Sequence, residues 1–332
     1  MAFLSRLTAR IMQPRVGSPE LTFHVIGKHP AWDDHMPDQG VANQTVLDFK
    51  QRFYVEALAG NINSGSWKHL PEPELIPCFN HRFVHQVADT LLIGGIWSSS
   101  DGKGRNLFPL IGIVYSRGLD PQGAFSAAGP ILAAFYEKNS GNPTAAGLES
   151  AIEEASSALA KRIAVIAPMN QLVSKLSGSQ VAGLLKSAPD PRSRARLLYA
   201  LRRSLLQVKD NLPDRADSFY DLIRLPGVGG GGPGDPSLIQ WPMWYLSLVG
   251  RTVPMTAVSH QGRPDDRFTD LIAGAIKPAS IFPLRASREK IPLCTDIPFD
   301  LDDAFIARCE AYLADCLRAD QSTAPDLPDE GR

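Results

Sequence analysis

The sequence lacks the features that mark several classes of protein. Its four cysteines include no Cys-x-x-Cys pair, which fits a reducing, cytoplasmic compartment. No apolar run approaches the length of a membrane span, and residues 1–16 have no continuous apolar core of the kind found in a secretory signal. Basic and acidic residues number 34 and 35, so a general binder of nucleic acid or anionic membranes is not indicated.

Complete catalytic and cofactor motifs are also missing. The chain has neither a Gly-x-x-x-x-Gly-Lys-Ser/Thr phosphate loop nor a Gly-x-Ser-x-Gly nucleophile elbow. Several ligand-capable side chains lie near the start, but no metal-binding spacing orients them; they are His24, His29, Asp33, Asp34 and His35. We therefore expect no enzyme activity, no cofactor and no metal.

What the chain does have is a polar loop between two apolar segments. Residues 90–97 and 107–115 are rich in Ile, Leu, Val and aromatics, which predicts two strands joined by the loop 98–106. The loop candidates for partner or ligand binding are Ser99, Ser100, Asp101, Lys103 and Arg105. A purely structural interpretation stays open, in which Asp101-Gly102 forms a turn and Arg105 pairs with Asp101.

This loop and two further segments resemble the TagF/ImpM proteins associated with bacterial type VI secretion. The central signature is carried by Gly95, Ser99 or Ser100, Asp101, Gly104, Arg105, Phe108, Pro109 and Leu110. The amino-terminal motif is carried by Gly27, Lys28, His29, Pro30 and Asp34. The closing segment, expected to contain a Trp-rich strand, is carried by Trp244, Gly262, Pro264 and Phe268.

The resemblance implies a longin-like α/β sandwich and a non-enzymatic role. Members of that family are cytoplasmic accessory proteins that restrain assembly of the secretion apparatus after translation. The implied partners are a forkhead-associated scaffold or other type VI secretion components. Nucleic acid is not among the expected partners. The chain departs from the family pattern at two places, with Ala31 to His35 after the first Pro and Ser98 to Asp101 in the central signature.

The apolar patterns predict one α+β domain, an antiparallel sheet flanked by helices. We place an amphipathic segment at 1–20 and the domain at 21–319, with its core at 22–136 and 237–275. A helical insertion is expected at 144–225, a Gly-rich connector at 226–236 and a disordered tail at 320–332. Within the core, 238–249 reads as a strand, 266–276 as a helix and 60–77 as a loop.

Two alternative functions remain open at this stage. One is a module that binds phosphate, a phosphopeptide or another small anion through the loop of Ser98 to Arg105. The other is a serine hydrolase that combines one of Ser98 to Ser100 with His24, His29 or His35.

Overall fold

A computed structural model describes residues 19–41, 43–140, 143–163, 176–228, 237–250, 253–262, 266–320 and 322–328. The strands of these residues are β1 (Glu20–Gly27), β2 (Asn80–Val87), β3 (Thr90–Trp97), β4 (Leu110–Arg117), β5 (Tyr220–Pro226), β6 (Met255–His260) and β7 (Phe268–Gly274). Within the described chain these seven strands form one sheet in the order β1-β4-β3-β2-β6-β7-β5, and each neighbouring pair is antiparallel.

Helices cover both faces of this sheet. They are α1 (Gln44–Phe49), α2 (Ala59–Ser64), α3 (Pro121–Ser140), α4 (Ala145–Ile163), α5 (Gly178–Leu185), α6 (Pro191–Arg215), α7 (Ser237–Val249), α8 (Pro278–Ile281) and α9 (Asp303–Ala319). A π-helical stretch, Lys50–Leu58, joins α1 to α2. Short 3₁₀ turns lie at Glu72–Glu74 and Phe282–Arg285.

The core is divided by the sheet into two layers. On one face the buried residues of β1 and β3 pack with α3 to α7 and α9. On the other face the helix from α1 to α2 and the segment around α8 pack against the sheet. The expected α+β architecture, an antiparallel sheet with helices on its sides, is therefore confirmed. Residues of α4, α5 and α6 belong to the same core cluster as the sheet, so the helical insertion packs directly on the domain.

Two segments of the predicted core have the opposite secondary structure. Residues 238–249, expected to be a strand, form most of the helix α7, and residues 266–276, expected to be a helix, contain the strand β7. Both elements are buried nearly all round, so no polar face reveals a period of 3.6 or 2. Trp244 of the expected Trp-rich strand therefore lies on a helix, with 2% of its surface exposed.

Other differences concern segments outside the central strands. β5 was not predicted and lies at the end of the expected helical insertion, where it pairs with β7 as an edge strand. The loop expected at 60–77 begins later, because α2 continues to Ser64. The described part of the tail also packs: Ala324 donates its amide to Leu176, and Leu327 contacts the core. The prediction of disorder is wrong for 322–328.

Some sequence predictions fall on residues that the structure does not describe. They are nearly all of the amino-terminal segment, residues 164–175 of the helical insertion, most of the Gly-rich connector after Val228, and Pro264. None of the described helices has both the length and the apolarity that crossing a membrane requires.

A buried ion pair fastens a long carboxy-terminal segment to the sheet. Arg224 of β5 and Asp270 of β7 are opposite each other, and the guanidinium holds both carboxylate oxygens at 2.7 and 2.8 Å. Each residue is 3% exposed. Arg224 also donates to four backbone carbonyls, those of Pro283, Ala286, Ser287 and Ile291. One cation thus satisfies the backbone of a segment with little regular structure of its own.

We expect Asp270→Asn to lower the free energy of unfolding by about 3–5 kcal/mol, since it leaves Arg224 buried without a counter-charge. The measurement is urea unfolding of the full chain. The control is Asp296→Asn, which breaks the solvent-exposed pair with Arg288 and should change stability by less than about 1 kcal/mol. Equal losses in the two variants would contradict the anchoring role of Asp270.

Candidate functional site

Two loops that carry the sequence motifs meet at one end of the sheet. Gly27 at the end of β1 and Trp97 at the end of β3 are both opposite Leu110, the first residue of β4. The segments that follow β1 and precede β4 therefore lie side by side. A backbone hydrogen bond of 2.6 Å, from the amide of Gly102 to the carbonyl of Trp32, joins them directly.

The carboxylate of Asp101 is the centre of this contact. It is 2% exposed. Its Oδ1 accepts the amides of Lys103 and Arg105 at 3.1 and 3.0 Å. Its Oδ2 accepts Lys28 Nζ at 2.6 Å and Arg105 Nε at 2.7 Å. With four donors on two oxygens the buried charge is well compensated, so Asp101 organises the loop and is not free for a partner.

Lys28 supplies the charge from the other loop. It is 4% exposed and also approaches Asp34 Oδ1 at 3.4 Å, while its ammonium lies 5.7 Å from the ring centre of Phe108. Arg105 extends the network, since its Nη2 donates to the carbonyl of Asp33 at 2.7 Å. We call Lys28, Asp34, Asp101 and Arg105 the Asp101 cluster.

The cluster depresses the pKa of its central acid. Burial alone would raise the pKa of Asp101, but hydrogen bonds from Lys28 and from the backbone and side chain of Arg105 outweigh it and hold the pKa well below its usual range. The hydrogen bond from Lys28 likewise lowers the pKa of Asp34. Both acids are therefore ionised at neutral pH and neutralise the two cations.

Glycine is required where the two loops approach each other. Gly27 has a φ of +116°, and a Cβ there would lie 2.2 Å from the carbonyl oxygen of Pro109. That same carbonyl accepts the amide of Lys28 at 3.2 Å. Gly104 has a φ of +76° in the turn that brings Arg105 back to Asp101. Gly27, Gly104 and Pro109 thus shape the loops.

The outer face of the loops presents a different set of side chains. Lys103 is exposed, and so is about half of the Arg105 side chain. Leu107 is 45% exposed. Asp34 has three quarters of its side chain in solvent. Of the predicted binding residues, Lys103 and Arg105 are therefore accessible and Asp101 is not.

Ser99 and Ser100 instead border a pocket of about 360 Å³ beside the loop, which we call the serine pocket. Its walls also include His29, Tyr136 and Asn139. The two serines are half-buried, and the hydroxyl of the preceding Ser98 accepts the amide of Phe79 at 2.8 Å, which fixes the start of the loop.

The histidines of the proposed hydrolase are engaged elsewhere. His29 lines the serine pocket, but its Nδ1 accepts the amide of Ala31 and its Nε2 bonds to Asn139 Oδ1. His24 bonds to the carbonyl of Gly40, and His35 packs on Tyr54 and Phe108.

Burial lowers the pKa of His29, which keeps the ring neutral, yet its basic nitrogen is already occupied. No hydrogen bond within the described chain joins any of Ser98 to Ser100 to a histidine, so the geometry offers the hydrolase hypothesis no support.

The charge balance of the loops bears on the anion-binding hypothesis. Three cations, Lys28, Lys103 and Arg105, are accompanied by the carboxylates of Asp33, Asp34 and Asp101. Arg105 already donates to a carboxylate and a carbonyl, so no arginine fork is open to a phosphate. A locally neutral surface attracts anions weakly, and we regard this alternative as less favoured.

The third motif lies at the same end of the sheet but apart from the Asp101 cluster. Gly262 follows β6, which β2 separates from β3, and Phe268 begins β7, which both β2 and β6 separate from β3. Three strand spacings correspond to roughly 14 Å between Trp97 and Phe268. The ring of Phe268 packs under the guanidinium of Arg224, 3.8 Å from its carbon to the ring centre. Phe268 and Trp244 therefore support the core.

Sequence reasoning missed two polar groups that the structure places in the core. One is the pair of Arg224 and Asp270, and the other links Ser204, Asp221 and Tyr245. The signal was a charged residue within an otherwise apolar strand pattern, as in Asp270 of Phe268–Gly274, because such a charge needs a buried partner. In the described part of the chain, no three His, Cys, Asp or Glu side chains are grouped to hold a metal ion.

Comparison with known proteins yields a weak structural likeness. No protein-family model matches the chain, and no curated protein matches it. A crystal structure of PA0076 from Pseudomonas aeruginosa PAO1 is similar over 47% of this chain and 67% of its own, with 18% identity and a TM-score of 0.31. A likeness with so low a TM-score supports no inference about function.

We expect Asp101→Asn to lower the thermal stability of the chain at pH 7, since it leaves the buried Lys28 without its nearest counter-charge. The control is Asp38→Asn, which breaks an ion pair of the same 2.6 Å length to Lys50 at a more exposed position. Circular dichroism melting should show a larger fall in melting temperature for Asp101→Asn than for Asp38→Asn. Equal melting temperatures for the two variants would count against this role.

The same variant has a pH signature. Because the folded-state pKa of Asp101 is depressed, its ionised form stabilises the fold above the unfolded pKa of about 3.9, and the contribution is lost as pH falls towards the folded value. The difference in melting temperature between wild type and Asp101→Asn should hold steady from pH 7 to 5 and narrow below about pH 4, which the same circular dichroism melts at each pH would show.

Proposed function

We propose that this protein is a non-enzymatic accessory component of a bacterial type VI secretion system that works through protein–protein contacts. In this proposal it is cytoplasmic and restrains assembly of the apparatus after translation. Its partner is a forkhead-associated scaffold or another component of the secretion system. The proposal draws on the resemblance of three ordered segments to TagF/ImpM proteins and on the geometry of the loops.

The observation that carries the proposal is the junction of the first two motifs. Lys28 of the amino-terminal motif and Asp101 of the central signature are 73 residues apart in sequence, yet they form a buried ion pair. The motif residues Gly27 and Pro109 meet in the same junction. Residues that carry the resemblance therefore have a shared structural task, to hold one rigid loop surface at the end of the sheet.

The chemistry of that surface favours a protein partner. Leu107 offers exposed apolar area, and Lys103, Arg105 and Asp34 of the same two loops add exposed charges of both signs. An apolar contact with a mixed polar rim is the usual composition of protein interfaces. The cluster beneath holds the loop in place, so binding would cost little ordering entropy.

A capture experiment tests the proposal. The tagged full chain and the double variant Lys103→Glu/Leu107→Asp are used to capture proteins from the native cytoplasm, with mass spectrometry as the readout. We expect wild type to retain a forkhead-associated or other secretion component, and the variant to retain about tenfold less, equivalent to 1.4 kcal/mol. Leu317→Asp is the matched control, because Leu317 on α9 is 47% exposed and Leu107 45%.

Two results would contradict the proposal. If wild type captures no secretion component reproducibly, the adaptor role fails. If the double variant and Leu317→Asp both retain as much of the secretion component as wild type, the adaptor role stands, but the loop surface around Lys103 and Leu107 does not mediate it. Substitution of Asp101 is unsuitable for this test, because its loss disturbs the loop itself.

A further inference from the structure

A second polar site lies at the opposite edge of the sheet, away from the Asp101 cluster. A cleft of about 380 Å³ opens between α6, the edge strand β5 and residues 291–299. Cys294 donates its amide to the carbonyl of Arg224 and so closes one end of the β5 edge. The remainder of the cleft is open to solvent and is of the size that small ligands occupy.

The floor of the cleft carries a carboxylate without a cation. Asp221 is half-buried and accepts the hydroxyl of Ser204, which in turn bonds to the hydroxyl of Tyr245 at 2.6 Å. Ser204 and Tyr245 are 3% and 1% exposed. No ion pair within 4 Å reaches Asp221 from the described residues, in contrast to Asp101 and Asp270. Burial accordingly raises the pKa of Asp221.

The rim of the cleft carries a cation without a carboxylate. Arg203 precedes Ser204 on α6, is exposed and lines the cleft. Its charge acts on Asp221 at long range, but the two side chains form no ion pair within 4 Å. No hydrogen bond from Arg203 to another described residue is formed either. The carboxylate of Asp221 and the guanidinium of Arg203 thus line the same cleft without forming an ion pair.

Apolar side chains line the cleft alongside these charges. They include Ile223 of β5, together with Ile297 and Phe299 of the carboxy-terminal segment. A ligand that fits this arrangement carries a cationic group for Asp221, an anionic group for Arg203 and an apolar body between or beside them. A simple cation would meet the repulsion of Arg203, and a simple anion that of Asp221.

We propose that this cleft binds a small zwitterion of the amino-acid class with an apolar side chain. The ammonium group pairs with Asp221, the carboxylate pairs with the guanidinium of Arg203, and the side chain packs on Ile297 and Phe299. The inference stands independently of the proposed secretion role, because it rests on another part of the molecule.

The test uses the full chain and three probes that share the isobutyl group of leucine. L-Leucine has both charges, isopentylamine only the cation and 4-methylpentanoate only the anion. Binding is followed by saturation-transfer NMR and by titration of protein amide shifts at pH 7. We expect leucine to bind, and each singly charged probe to bind at least about tenfold more weakly.

Variants locate the site. Asp221→Asn and Arg203→Gln should each weaken leucine binding by about tenfold or more. Asp221→Asn retains an oxygen for the Ser204 hydroxyl, and Arg203 is exposed, so both are expected to fold. Asp210→Asn, at an exposed position on the same helix, is the matched control and should bind leucine as wild type does.

Three outcomes would overturn the inference. Leucine causes no shifts or saturation transfer at millimolar concentration; or Asp221→Asn and Arg203→Gln bind it as tightly as wild type; or isopentylamine binds as tightly as leucine, which would leave Arg203 without a part. Shifts confined to the cleft in wild type and absent in both variants would establish the site.

Discussion

The buried carboxylate of Asp101 is the constraint that holds the two loops together at one end of the sheet. A charge removed from water must be compensated, and four donors from two separate loops meet that need. Lys28 can reach it only because β1 and β4 are neighbours in register. The ion pair thus joins two polar connections into one rigid unit, and Leu107 is left exposed on its outside.

The same physical rule operates at β5 and β7. Asp270 is held by both nitrogens of the Arg224 fork, and the remaining donors of Arg224 satisfy carbonyls of 283–291. A segment with short helical turns and little other regular structure is thereby attached to the sheet. Asp221 is the exception among these acids, because it has hydroxyl and amide donors but no described cation within ion-pair distance. Asp101 and Asp270 are therefore structural acids, whereas Asp221 lines a cleft with no ion-pair partner.

The loops beside β1, β3 and β4 and the cleft beside β5 differ in their chemistry. The loop surface beside β1, β3 and β4 is locally neutral and partly apolar, which suits a protein contact. The cleft beside β5 is small, has both apolar and polar walls, and contains an acidic and a basic side chain that form no ion pair, which suits a small dipolar ligand. The serine pocket lies between the loop and α3, but its histidine has both nitrogens engaged and offers no base.

The sequence alone determined what depends on neighbours within a few residues. The apolar segments that form β3 and β4 and the pairing of Arg105 with Asp101 are local patterns, and the structure confirms them. Tertiary structure decided the rest. α7 and β7 are buried on every side, so their periodicity is hidden, and Lys28 and Arg224 find their acids across strands, where only sheet register sets the distance.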